Sequence, residues 1–186
     1  SLIELRGLKY ILFPRIMKPI YGHEFAIDAI GLLPESVRKN YCFVFLGKDG
    51  PEREYIYRIE KKMDEVSGRF LFLNLLGQDE LHRAMKLAEA IVMTPYSDGA
   101  SVTAAEALFC KVPLVLPPLE YDPDIFGRGP IYFENWSPKE LARAILFALE
   151  RCDEDRLEAG FVDAVAHFDR LAEMSKLREI YSALTK

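Results

Sequence analysis

Short, nearly continuous apolar runs alternate with amphipathic stretches almost to the end of this chain, and that alternation constrains the fold more than any other feature. Tyr10-Ile11-Leu12-Phe13 reads as a first buried strand closed by Pro14, and a polar loop runs from there through Gly22. Phe25, Ile27, Ile30 and Leu33 predict a helix stopped at Pro34. Tyr41 to Leu46 is a second strand, ended by the turn Gly47-Lys48-Asp49-Gly50. Pro51 suits the first position of the next helix, which carries Tyr55, Ile56, Ile59 and Met63 on one side and ends near Gly68. Phe70 to Leu73 is a third strand; Leu81, Met85 and Leu87 mark the helix after it, and Ala90 to Met93 is a fourth strand. Ser101 to Cys110 is a helix beginning just after Asp98-Gly99. Pro113 to Leu116 is a fifth strand and Ile131-Tyr132-Phe133 a short sixth. From Ser137 onward the pattern is helical only. Ser137-Pro138-Lys139-Glu140 starts a helix with capping-box spacing, and Gly160 divides the last stretch of the chain into roughly 153–159 and 161–184.

Strands that are apolar throughout, each followed by a helix, predict an α/β fold. It is a doubly wound, mainly parallel six-stranded sheet with helices on both faces, Rossmann-like, with a helical C-terminus. The crossovers are expected to be right-handed. No internal repeat or linker interrupts the pattern, so residues 1–186 are read as a single domain. A chain of this length buries roughly 70% of its unfolded surface, enough for a self-sufficient core. Half the residues are hydrophobic and 28% charged, with eleven Gly and eleven Pro, which excludes collagen-like, low-complexity and disordered classes. No stretch approaches the ~18 apolar residues of a membrane span, and no basic-then-apolar signal pattern opens the chain. Cys42, Cys110 and Cys152 are odd in number and lack CxxC spacing, so they suggest neither a disulfide framework nor a zinc site, and a cytoplasmic setting is expected. A net charge of −5 argues against nucleic-acid partners, whose binding feeds on Lys/Arg–phosphate contacts. The initial Ser hints at a piece of something longer.

In such sheets ligands sit outside the carboxyl ends of the strands, near the switch in strand order. The loops after strands one, two, four and five therefore matter most. The richest runs from Thr94 to Ala107, where a strand ends in Pro95 and a polar turn delivers the chain to a helix start. Free amides of Ser101, Val102 and Thr103 would carry the helix's partial positive charge and suit a phosphate. Glu106, on the second turn, is within reach of sugar hydroxyls on a ligand held there. An ordinary N-cap at Asp98 or Ser101 beside a solvated Glu explains the same residues. Asn74 and Leu76, after strand three, are placed either beside a nucleotide base through backbone groups or in plain loop packing. His23 at a helix start is read as a cap or surface residue ahead of a catalytic one, and His82 and His167 receive no role.

Asp98…Glu106, with seven residues between them and Gly99 the first, leads into Ala107-Leu108-Phe109-Cys110-Lys111-Val112-Pro113-Leu114-Val115. This resembles the E-x7-E signature of family 4 retaining glycosyltransferases of the GT-B fold. Phe45-Leu46-Gly47-Lys48-Asp49-Gly50-Pro51-Glu52-Arg53 resembles that family's "vG-x-GpeR" turn. Asp79-Glu80-Leu81 with Ala88 to Pro95 resembles its "eeL…aDvfv-PS" run. Pro123-Asp124-Ile125-Phe126 and Leu141-Ala142-Arg143-Ala144-Ile145 resemble "PEIv" and "LA-AI", so the similarity covers about residues 9–150. Departures are visible too. Asp98 replaces the usual Glu, Lys18 lies closer to Arg15 than usual with no Gly after it, Lys111 stands at a position often Gly, and Leu119-Glu120-Tyr121-Asp122 lacks the common Gly pair.

The resemblance implies roles residue by residue. Glu106 matches the position that holds the nucleotide ribose, and Asp98 the one that contacts hydroxyls of the donor sugar. Gly99, Ser101, Val102 and Thr103 match the turn and helix start whose backbone approaches the donor diphosphate. Arg15 matches the family's phosphate-binding Arg, and Lys18 is its companion cation. These cations would meet the charge that develops on a departing nucleoside diphosphate. The donor is expected to be a nucleotide-diphosphate sugar, with no cofactor and no metal required. A GT-B enzyme has two Rossmann-like domains, and the matches here are all to the C-terminal, donor-binding one. The expectation is an excised donor half, inactive alone, with its N-terminal acceptor-binding domain absent and any membrane contact made only through that domain. Its exposed apolar strip should give weak self-association. The alternatives are half of a GT-B-fold sugar-nucleotide epimerase and a non-catalytic α/β nucleotide-binding or interaction module. A receiver module would need acidic residues that Leu12-Phe13-Pro14 and Leu73-Asn74 do not offer, and no G-x-G-x-x-G comes after the first strand to suggest a dehydrogenase.

Overall fold

The structure is a computed structural model that describes residues 2–99, 101–117, 119, 126–168 and 170–184. Six strands, β1 (Tyr10–Phe13), β2 (Cys42–Leu46), β3 (Arg69–Leu73), β4 (Ala90–Val92), β5 (Leu114–Leu116) and β6 (Ile131–Tyr132), form one sheet in the order β3-β2-β1-β4-β5-β6. Every pairing is parallel. The described helices are α1 (His23–Gly31), α2 (Glu35–Asn40), α3 (Arg53–Glu65), α4 (Gln78–Leu87), α5 (Val102–Phe109), α6 (Pro138–Glu150), α7 (Glu154–Phe168) and α8 (Arg170–Leu184).

Successive side chains on a strand point to opposite faces, so each central strand feeds two cores. Ile11, Phe13, Phe43, Phe45, Val92 and Val115 face α1, α3 and α6, where Ile27, Ile30, Ile59 and Ile145 meet them. Tyr10, Leu12, Val44, Leu46, Ile91 and Leu116 face α4 and α5, where Met85, Ala104, Ala105 and Leu108 meet them. Each of these large side chains contributes on the order of 2 kcal/mol by leaving water. Phe13 and Phe45 stack with ring centroids 4.2 Å apart. The Tyr10 hydroxyl, buried at the sheet's other end, donates to the Ala84 carbonyl at 2.6 Å. Burial pushes its pKa up to about 12.

Several details differ from the sequence reading. Glu35–Asn40 forms a short helix that no apolar stripe announces, because none of its residues is buried. Helix α3 begins at Arg53 rather than Pro51, since Gly50 N–H closes the preceding turn onto the Gly47 carbonyl at 2.9 Å. Ser137 caps α6 through its backbone carbonyl alone, which accepts from Glu140 and Leu141. Gly160 does not divide the last helical stretch: α7 runs through it, and a Cβ there would lie 2.8 Å from the Gly129 Cα. The glycine is required by that backbone-to-backbone approach, not by a helix end. Residues 173–184 are exposed, Met174, Leu177 and Ile180 among them, so this end of α8 adds no side chain to either core. The segment 120–125, with most of the Pro123-Asp124-Ile125-Phe126 match, lies outside the described residues, as does Ala100.

Candidate functional site

The order of the strands switches direction between β1 and β4, so the loops that leave those two strands meet at the carboxyl edge of the sheet. They are joined by hydrogen bonds. Thr94 Oγ1 donates to the carbonyl of Tyr21 at 2.9 Å and to that of Gly22 at 3.2 Å, and Tyr96 N–H donates to the Ile20 carbonyl at 2.8 Å. Gly22 sits at φ +62°, and its missing side chain lets the Thr94 carbonyl approach.

Arg15 crosses from the first loop to the second. Its Nη2 lies 3.4 Å from both carboxylate oxygens of Asp98, and its Nη1 reaches Ser101 Oγ at 3.5 Å and Thr103 Oγ1 at 3.4 Å. The guanidinium rests 4.1 Å over the Tyr21 ring. These are long contacts, at the outer limit for hydrogen bonds, and so are readily exchanged for better ones. Asp98 Oδ1 also accepts the Gly99 N–H at 3.1 Å. Asp98 Oδ2 is shut off from solvent and makes no hydrogen bond among the described residues. The Arg15 guanidinium 3.4 Å away compensates its charge without hydrogen-bonding it.

Ser101 is the N-cap of α5, its hydroxyl accepting from Ala104 N–H at 3.3 Å. Its carbonyl takes the Ala104 and Ala105 amides. Among the described residues no acceptor reaches the amides of Val102 and Thr103, and Val102 is 62% exposed, so this helix end is open. A Cβ on Gly99 would meet nothing within 4 Å, which leaves room for another molecule to approach its backbone. Glu106 comes three positions after Thr103 on the same helical face, roughly 5–6 Å away between Cβ atoms. Its Oε1 accepts from His82 Nε2 at 3.0 Å and lies 3.5 Å from Gln78 Nε2.

The structure thus brings Arg15, Asp98, Gly99, Ser101, Val102 and Thr103 together, with Glu106 one turn along α5. Lys18 is not part of the cluster. It is exposed, caps the turn Pro19–Tyr21 through its backbone, and has no side-chain partner among the described residues. Asn74 is exposed and Leu76 half-buried against the α4–α5 core. Their loop is tied to the loop after β2 instead, through Leu75 N–H on Asp49 Oδ1 at 3.0 Å and the Gly47 and Lys48 amides on the Leu73 carbonyl. Sequence reasoning missed two neighbours. His82 supports Glu106 from a different helix. His23 is not a surface residue: it is 2% exposed, with Nε2 3.2 Å from the Arg15 carbonyl and Nδ1 3.4 Å from the Tyr55 hydroxyl. Burial pushes its pKa down to about 4, against the pull of the Arg15 and Lys18 backbone, so the ring is neutral at pH 7. The signal for His82 was topological, since a helix returning from the sheet edge to β4 lies beside the helix leaving β4.

A cavity of about 580 Å³ lies elsewhere, among Tyr132, Phe133, Arg143, Phe147 and Arg156. Among the described residues there is no group of three or more His, Cys, Asp or Glu able to hold a metal, and no helix long and apolar enough to cross a membrane.

The family model for glycosyl transferases group 1 matches residues 4–159, most of the chain and all of the cluster just described. The chain belongs to this family. A search of the curated proteins finds no match to this group 1 sequence. Among solved structures, a glycosyltransferase from Rickettsia africae superposes with a TM-score of 0.81 at 15% identity, covering 97% of this chain and 48% of that one. Anabaena HepE, solved in complex with UDP-glucose, gives 0.81 at 15% identity over 97% of this chain and 50% of that one. A UDP-forming α,α-trehalose-phosphate synthase from Burkholderia xenovorans, solved with glucose-6-phosphate, gives 0.82 at 14% identity over 97% and 45%. The group 1 chain therefore has the fold of a GT-B glycosyltransferase and spans about half the length of these relatives.

Proposed function

We propose that this chain is the donor-binding domain of a retaining glycosyltransferase, of hexosyltransferase type, that takes a nucleotide-diphosphate sugar. The observation that carries the reading is the contact of Arg15 with Asp98, Ser101 and Thr103 at the open start of α5. A cation, unengaged amides and a carboxylate converge at one point. The presence of UDP-glucose in HepE, one of the fold relatives, supports it.

In this reading the diphosphate lies across the Val102 and Thr103 amides with Arg15 beside it. Asp98 accepts from hydroxyls of the donor sugar, one methylene further back than a Glu would. Glu106 accepts from the ribose. When the bond from the anomeric carbon to the diphosphate breaks, its electron pair leaves on the phosphate oxygen. The acceptor hydroxyl oxygen bonds the anomeric carbon from the same face of the sugar, and its proton passes to the departing phosphate oxygen. Arg15 and the helix end lower the barrier by meeting that charge with groups already oriented, so the proposed chemistry needs no metal. The acceptor and its binding groups belong to a second domain, and transfer requires both.

Titration of the chain with millimolar UDP, GDP and ADP, monitored by NMR, should shift the Ser101, Val102, Thr103 and Glu106 signals for at least one nucleotide. Unchanged signals for all of them refute the reading. Arg15→Ala should weaken the nucleoside diphosphate and inorganic pyrophosphate alike, by roughly 30-fold, the value of about 2 kcal/mol for a charge-assisted pair. Glu106→Ala should weaken the nucleotide about tenfold and leave pyrophosphate untouched. Equal losses on both probes would show that Glu106 does not read the ribose.

A further inference from the structure

Among the described residues, Glu106 is held from one side. Gln78 and His82 sit four positions apart on α4, so they occupy one helical face, and both direct Nε2 at the same oxygen of Glu106, Oε1. No donor among the described residues reaches Oε2, and the Glu106 side chain keeps 17% of its surface exposed. A carboxylate only accepts, so the proton in the His82 contact resides on Nε2. The backbone under His82 is fixed as well, because the Cys110 thiol at the end of α5 contacts the His82 carbonyl at 3.9 Å. The start of α4 is pinned by Gly77 N–H on Glu80 Oε2 at 3.4 Å.

We propose that Gln78 and His82 are positioning residues that lock Oε1 of Glu106 so that Oε2 is presented to the vicinal hydroxyls of a ribose. This rests on the ribose role given to Glu106 above. Helix α4 then becomes part of the apparatus that distinguishes a ribonucleotide from a bare diphosphate or a deoxy analogue. A freely rotating Glu side chain loses its freedom each time a ligand binds. One held by His82 at 3.0 Å, with Gln78 at the outer limit of a hydrogen bond, has lost most of it already and loses little further. Because both donors address one oxygen, neither competes with the hydroxyls for the other.

The test compares each of UDP, GDP and ADP that binds the chain with its 2′,3′-dideoxy counterpart, by calorimetry, with inorganic pyrophosphate as a third probe. The unmodified chain is expected to favour the ribonucleotide by about tenfold. His82→Ala should shrink that preference by about threefold or more without changing pyrophosphate affinity, and His82→Gln, which keeps a donor near the same place, should restore most of it. Glu106→Ala should abolish the preference. If Glu106→Ala abolishes it and His82→Ala leaves it intact, the positioning role is wrong and the ribose role stands. If neither variant changes it, or no nucleotide binds, the ribose role fails and takes the positioning role with it. A loss of pyrophosphate affinity in His82→Ala matching the loss of nucleotide affinity, unrelieved in His82→Gln, marks a merely structural residue and also overturns the proposal.

Discussion

Replacing Gly22 with alanine is expected to cost about 4 kcal/mol of folding stability, read as a fall in the denaturation midpoint. The residue ends one turn and begins α1 at φ +62°, a left-handed conformation that an L side chain adopts at a cost of about 1–2 kcal/mol. Its Cβ would stand 2.3 Å from the Thr94 carbonyl oxygen, closer than any tolerable contact. That oxygen belongs to backbone, so no rotamer change relieves it. Moving the loops apart would break the bonds from Thr94 Oγ1 to Tyr21 and Gly22, each worth about 1 kcal/mol. Gly7 supplies the control. Its φ is +72° but a Cβ there would meet nothing within 4 Å, so Gly7→Ala should cost only the conformational part, about 1 kcal/mol. Equal losses at the two positions would show that the approach of Thr94 to Gly22 contributes nothing.

Acidification is expected to weaken the fold through His23 by roughly 3 kcal/mol between pH 7 and pH 4. The ring titrates near 6.5 when exposed and near about 4 in the folded chain, burial being the main cause. Between those values the unfolded state carries the additional proton. Stability therefore rises with pH across that window and is lost as pH falls through it, while above 6.5 the group contributes no slope. Glutamine at this position keeps a donor for the Arg15 carbonyl and cannot titrate. His23→Gln should therefore flatten the profile of chemical denaturation between pH 6.5 and 4 relative to the unmodified chain. Superimposable profiles would overturn the assignment. Because His23 holds the backbone that carries Arg15, the same acidification should loosen ligand binding at the α5 start.

The strand pattern was legible because a strand buried on both faces leaves a continuous apolar run. Tyr10–Phe13 is recovered to the residue, and Tyr41, Met93, Pro113 and Phe133 each fall just beyond strand ends the pattern extended. Helix α2 was not legible, since a helix with no buried residue prints no period on its sequence. Gly160 shows in the sequence as a weak point of a helix, but its partner Gly129 is visible only once the chain is folded. At the site, the resemblance gave Arg15, Asp98, Ser101 and Thr103 separate ligand roles and said nothing of contacts among them, and the structure brings these side chains together. Lys18 shared the same loop and charge yet stays apart, because Pro19–Tyr21 winds into a turn that carries it to the surface. The Lys111 departure also has a local account. It holds φ 52° after α5, where Gly is usual, and its ammonium pairs with Glu158 and lies 4.4 Å over the Phe161 ring. Those contacts with α7 offset the left-handed cost.

Arg15 and Asp98 close on each other across the gap between two loops. An arriving anion must therefore enter by substitution, trading an internal counter-charge for its own. Added salt then acts twice, loosening the latch and shielding the newcomer. The ionic-strength dependence of binding should accordingly be shallower than the charge of the incoming group alone would dictate.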